Sequence, residues 1–191
     1  MNRTSLFLFI SISLLLWKCG KSEKAFGQSY DLSLTEMLDS LRINHLEIFI
    51  IIDKSEYTLS VKYQDRSIRS YPVVFGGNPI DDKRMEGDQC TPEGKFKVRA
   101  KYPHQDWSKF IWLNYPTEES WKKHREAKEE GEIPGSAKIG GEIGIHGVPE
   151  GYEYAIPLKI NWTLGCISMT NTDINDLYPC ITEKIIIEIT P

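Results

Sequence analysis

The chain lacks an apolar run long enough to cross a bilayer. Its candidate, Leu6 to Trp17, holds twelve residues with Ser11 and Ser13 among them, whereas a bilayer core of about 30 Å needs about 20. It also lacks an excess of basic charge. Lys plus Arg number 23 against 27 Asp plus Glu, a net −4, which gives nucleic acid no electrostatic footprint. Four cysteines in 191 residues are too few to staple a fold. The four histidines show no paired ligand spacing and no partnering cysteine cluster, so neither a zinc site nor any other metal is expected. No internal repeat is present, which excludes solenoids and propellers. What remains is 40% hydrophobic and 26% charged, ordinary for one compact globular domain.

Residues 1–27 read apart from the rest. Arg3 precedes the apolar run, and Lys18, Lys21, Glu23 and Lys24 follow it, the pattern of a secretory signal. Ala25-Phe26-Gly27 has the small-x-small form of a cleavage site. Leu16-Trp17-Lys18-Cys19 instead has the Leu and Cys of a lipoprotein box, which would anchor the protein to a membrane through Cys19. Either way the expected location is outside the cytoplasm, in the periplasm or cell envelope. Without residues 1–27 the chain carries 19 basic and 26 acidic side chains, a net −7.

Residues 28–45 are expected to form an amino-terminal helix and linker. Leu34, Met37, Leu38 and Leu41 recur at helical steps over Leu32 to Arg42, with Asp31 or Ser33 as cap. From residue 46 the grammar turns to strands. Residues 47–52 form a dense apolar run, 57–63 alternate, and 67–75 follow a second short turn, together a meander. Phe96, Val98 and Ala100 share one face of a further strand. Residues 110–113, 141–146 and 185–189 give three more. Glu118 to Glu130 and Thr172 to Tyr178 read as short helices, the second capped by Asn171 or Thr172. The fold class is mainly β with a few short helices (α+β). Strands without alternating helices exclude the doubly wound dinucleotide folds, and no cofactor is expected.

Chemistry concentrates in two places. Thr163-Leu164-Gly165-Cys166-Ile167-Ser168-Met169 sets a cysteine after a glycine and before a short helix. Twenty residues upstream, Ile143-Gly144-Ile145-His146-Gly147 ends an apolar strand in a histidine. Backbone N–H groups around Gly165 and Cys166 would stabilise an oxyanion, and a histidine beside a cysteine can take its proton. Spacing alone leaves the alternative open: a buried structural cysteine and a hydrogen-bonded strand-end histidine.

Four co-linear segments carry a resemblance. Glu86-Gly87-Asp88-Gln89-Cys90-Thr91-Pro92-Glu93-Gly94-Lys95-Phe96, Leu113-Asn114-Tyr115-Pro116, Ile145-His146-Gly147 and Thr163-x-Gly165-Cys166 resemble the catalytic domain of the L,D-transpeptidases, the YkuD family, most closely its YafK-like branch. The resemblance covers about residues 46–190, implies a catalytic domain over 46–191, and implies a β-sandwich. It implies Cys166 as nucleophile, His146 as base, and the Gly147 backbone as the holder of the imidazole tautomer. Gly165, Thr163 and Ser168 fall to the oxyanion and substrate side, with Thr163 bracing the loop.

The implied substrates are peptidoglycan stem peptides, acted on through a cysteine thioester by a monomer that contacts no nucleic acid. Two positions depart from the family. Leu164 stands where many members have histidine, and Ser168 where many have Arg or Asn. Acyl transfer that cross-links the wall is the leading expectation. A hydrolase releasing cross-links or wall-attached lipoprotein is the alternative, and a non-catalytic wall-binding module a third. Residues 148–162 and the helix at 118–130 are candidate lids. Cys90 and Cys180 are either a disulfide or two free thiols.

Overall fold

The computed structural model describes residues 31–191. The expected signal, its cleavage site and the Cys19 anchor lie outside them. Among the described residues, helix α1 spans Leu34–Ser40, α2 Glu118–Glu129 and α3 Asn171–Leu177. The strands are β1 (Ile48–Asp53), β2 (Thr58–Tyr63), β3 (Arg66–Pro72), β4 (Gly94–His104), β5 (Ser108–Leu113), β6 (Gly144–His146), β7 (Ile167–Ser168) and β8 (Ile186–Thr190). The architecture is the mainly β one expected, a mixed sheet folded into a sandwich.

Strand order is β3-β2-β1-β8-β4-β5-β6-β7. The β1–β2–β3 meander is antiparallel. The carboxy-terminal β8 slots in parallel to β1, pairing Ile50 with Ile187 and Ile52 with Ile189. Alternation explains the burial: Ile48, Ile50 and Ile52 face inward from β1, Leu59 and Val61 from β2, Ile187 and Ile189 from β8. Strand β4 turns the corner between the halves. Its residues 94–97 pair with β8. From Val98 onward it pairs with β5, with a register shift between Val98 and Ala100, a bulge that bends the strand.

The two edges of the sheet then meet. Val74, just past β3, exchanges both backbone hydrogen bonds with Ser168 of β7, at 2.9 and 2.8 Å. Gly76 continues the seam against Thr163.

Helix α1 is shorter than the reading and takes Ser33 as its cap, with a reciprocal bond between Ser33 and Glu36. It is packed rather than tethered. Leu34 and Leu38 are fully buried in the main core, and the Leu34 N–H donates to Asp176 Oδ1 of α3 at 2.8 Å. Asp176 also accepts from Arg69 and from the Tyr71 hydroxyl. Helix α3 begins one residue earlier than expected, because Thr170 supplies the capping oxygen to the Asp173 N–H.

Cys90 and Cys180 are free and buried. The Cys90 thiol donates to the Asp88 carbonyl, while Cys180 lies 3.3 Å from the Thr35 hydroxyl at α1.

Candidate active site

Strand β6 runs parallel to β7 with Ile145 opposite Ile167 and His146 opposite Ser168. Cys166 immediately precedes β7. Side chains alternate along strands, so Cys166 shares the face of Ser168, and therefore of His146, as its diagonal neighbour. The seam of the sheet brings together residues the sequence holds twenty apart.

Thr163 builds the turn that presents the cysteine. Its hydroxyl accepts from the Gly165 N–H at 3.1 Å and donates to the Cys166 carbonyl at 2.7 Å. The Gly165 N–H, expected to face an oxyanion, is thus already engaged by Thr163. Gly165 is required for another reason. Its φ is +138°, and a Cβ there would lie 2.7 Å from the Cys90 carbonyl oxygen. That is the left-handed half of conformational space, open to glycine.

The segment carrying Thr91-Pro92 backs this turn. Asn78 bridges to Cys90, and buried Thr91 accepts from the Gly76 N–H at 3.3 Å. Asp88 organises the approach: Oδ1 accepts from the Lys83 ammonium and the Cys90 N–H, Oδ2 from the N–H groups of Arg84 and Met85.

Half-buried Cys166 directs its thiol to the Glu142 carbonyl at 3.4 Å. Glu142 has φ +57°, a left-handed conformation uncommon for a residue with a side chain. Among the described residues the thiol makes no hydrogen bond to His146. Burial pushes the Cys166 thiol up to about 11, against the pull of the Gly144 N–H and the Lys83 ammonium.

His146 is 1% exposed and walled by rings. Trp107 stacks on it at 4.4 Å, Phe110 lies parallel at 5.8 Å, and Trp162 meets it edge-on at 5.6 Å. Gly144 makes room for Phe110, whose ring would overlap any Cβ there. Burial drives the imidazole down to about 4, opposed by its bond to the Gly147 carbonyl. That bond, Nδ1 to oxygen at 2.6 Å, fixes the tautomer. A carbonyl only accepts, so Nδ1 carries the proton and Nε2 keeps a free lone pair. At neutral pH both groups are uncharged, so a proton passing from the thiol to Nε2 would have to move as the sulfur forms a bond rather than before it.

Ser168, expected on the oxyanion and substrate side, is fully buried and donates to the Gly147 carbonyl at 3.2 Å, the same oxygen that His146 Nδ1 reaches. Leu164, between Thr163 and Gly165 in the turn, is 76% exposed.

The candidate lids are packed. Tyr152 and Trp162 cover a small core of Val74, Val148 and Ile156, and Asn161 accepts from the Phe75 N–H and donates to the Tyr57 hydroxyl. Helix α2 clamps the 82–93 segment, with Lys123 donating to Asp82 and the Glu93 carbonyl, and buried His124 donating from Nδ1 to the Arg84 carbonyl. Sequence reasoning missed Trp107, Phe110 and Asp88 as parts of the site. Asp88 lies in one of the four quoted segments but carries no mark of its supporting role, and residue type and spacing mark neither Trp107 nor Phe110.

The molecule is a β-sandwich with a histidine at the end of one short strand and a cysteine directly before the parallel strand beside it. The chain belongs to the L,D-transpeptidase catalytic domain family, YkuD, whose model matches residues 47–189. The fold is similar to the helical cell shape determining protein Pgp2 from Campylobacter jejuni, with TM-score 0.55, 20% identity, and 81% of this chain against 54% of that one. Bd1075 from Bdellovibrio bacteriovorus gives 0.53 and 21%, covering 75% of this chain and 48% of that one. L,D-transpeptidase 3 from Mycobacterium tuberculosis, in complex with a faropenem-derived adduct, gives 0.50 and 12%, covering 76% and 60%. The chain thus spans between 48% and 60% of these structures' own lengths. No curated protein matches it.

Proposed function

We propose that the domain performs cysteine-dependent acyl transfer on peptidoglycan stem peptides, outside the cytoplasm. The observation that carries the reading is the diagonal pairing of Cys166 with His146, whose Nε2 is left basic by the Gly147 carbonyl. His146 Nε2 takes the thiol proton as the sulfur attacks the peptide carbonyl carbon. A C–S bond forms, the C–N bond breaks, and the amine leaves with the proton from Nε2. The Cys166 N–H is the oxyanion donor, since that of Gly165 is occupied by Thr163. An amine of a second stem peptide then attacks the thioester, gives its proton to His146 and restores the thiol.

The test begins with faropenem, taken from the complex of the mycobacterial relative. Mass spectrometry should find the adduct on Cys166 and none on a folded Cys166→Ala variant. Defined muropeptides, with and without an added amine acceptor, then report the second half-reaction. Coupled product supports transfer, and release without coupling assigns the domain as a hydrolase. No adduct and no change in any peptide, with the fold intact, would leave a wall-binding module.

A further inference from the structure

Asn171 opens α3, and its side chain grips the backbone beyond the histidine. Asn171 Oδ1 accepts from the Val148 N–H at 3.1 Å, and its Nδ2 donates to the Val148 carbonyl at 3.0 Å. The residue is itself held at the first position of α3, where its own N–H donates to the Glu153 carboxylate at 3.0 Å. Gly147 is wedged beside it. A Cβ on Gly147 would overlap Asn171 Oδ1 and lie 2.6 Å from the Trp107 carbonyl oxygen, which already accepts from the Gly147 N–H at 3.0 Å.

The Val148 N–H and the Gly147 carbonyl belong to one peptide unit. That unit is planar and trans, so its N–H and C=O point to opposite sides. Holding the N–H on Asn171 therefore aims the carbonyl the other way, where it accepts from His146 Nδ1 and the Ser168 hydroxyl. Turning the unit over would offer Nδ1 a donor in place of an acceptor. The imidazole would then carry its proton on Nε2, the nitrogen that has to act as base.

We infer that Asn171 is a positioning residue that locks the Gly147–Val148 peptide and thereby sets the tautomer of His146. The inference builds on the cysteine–histidine reading above, but its primary readout needs no substrate. The 15N shifts of the His146 ring in the intact domain should report a protonated Nδ1 and an unprotonated Nε2. In Asn171→Ala the two nitrogens should move toward a tautomer mixture, with kcat/KM on the wall peptide or acylation rate by faropenem falling about 10–100-fold. Asn171→Asp keeps an acceptor for the Val148 N–H, so it should retain the Nδ1–H tautomer and most of the rate. A folded Asn171→Ala with wild-type ring shifts overturns the lock. Should the alanine variant not fold, loss of the Nδ1–H tautomer in folded Asn171→Asp overturns it instead. Absence of turnover in the wild type would count against the proposed function alone, since the ring shifts are read without it.

Discussion

His146 has traded solvation for enclosure, and its acid–base behaviour follows from that exchange. An imidazole free in water titrates near 6.5, whereas burial takes this one down to about 4. Only the neutral ring can accept a proton, so activity is lost as pH falls through the folded value. The acid limb of kcat/KM should therefore lie near 4, with a flat profile across pH 6; a limb near 6.5 would contradict the enclosed histidine. Trp107→Ala removes the ring stacked at 4.4 Å, admits water, and should move the limb upward toward 6.5. Gly165→Ala must accept a left-handed φ and a Cβ against the Cys90 carbonyl. The first of these alone costs about 1–3 kcal/mol. Urea unfolding should show that loss, and faropenem acylation of Cys166 should slow with it. Acylation at the wild-type rate would mean the turn relaxes freely.

At the scale of elements, periodic segments were legible and short or side-chain-defined ones were not. Residues 47–52, 57–63 and 185–189 alternate or run apolar, and they form β1, β2 and β8 within a residue or so. Strand β7 has two residues, too few to carry a period, so the element beside the candidate nucleophile was invisible. Cys166, His146 and Gly147 were named only by the resemblance of four co-linear segments, because spacing alone fits a structural cysteine and histidine equally well. The role of Ser168 was not, since only pairing with His146 shows that its hydroxyl turns inward to Gly147. The 82–93 segment was legible as a motif but not as a support. Its keystone is Asp88, held below the usual carboxylate range despite burial, by Lys83 and three backbone N–H groups. Asp88→Ala would leave the 3% exposed Lys83 ammonium unpaired, a change that costs about 3–5 kcal/mol in buried pairs. The wild-type contribution is present above the unfolded carboxylate pKa and is lost as pH falls through the lower folded one. Denaturation of wild type and Asp88→Asn across that window should converge toward acid. Parallel curves would remove the pair from the stability of the segment.

For the molecule as a whole, the decisive feature is that the sheet's first and last strands meet. An eight-stranded sheet left open would put β7, the shortest strand, on a free edge, where backbone pairing frays. Here Val74 caps β7 from the far side with two hydrogen bonds at Ser168, and the Thr163 N–H donates to the Phe75 carbonyl at 3.3 Å. Apolar residues pack against the seam from both cores. Val74 belongs to the small core with Val148 and Ile156, and Ile167 to the large one. The seam is thus built as interior, not as a rim that opens to admit substrate. Hydrogen exchange distinguishes these cases. If closure is part of the cooperative unit, the amides of Val74 and Ser168 should exchange as slowly as those of Ile50 and Ile187 at the buried centre of the sheet. Their exchange should also accelerate with denaturant along the same line, because only global unfolding exposes them. Faster exchange at 74 and 168, insensitive to denaturant, would mean the seam opens on its own, carrying Cys166 away from His146 in the native state.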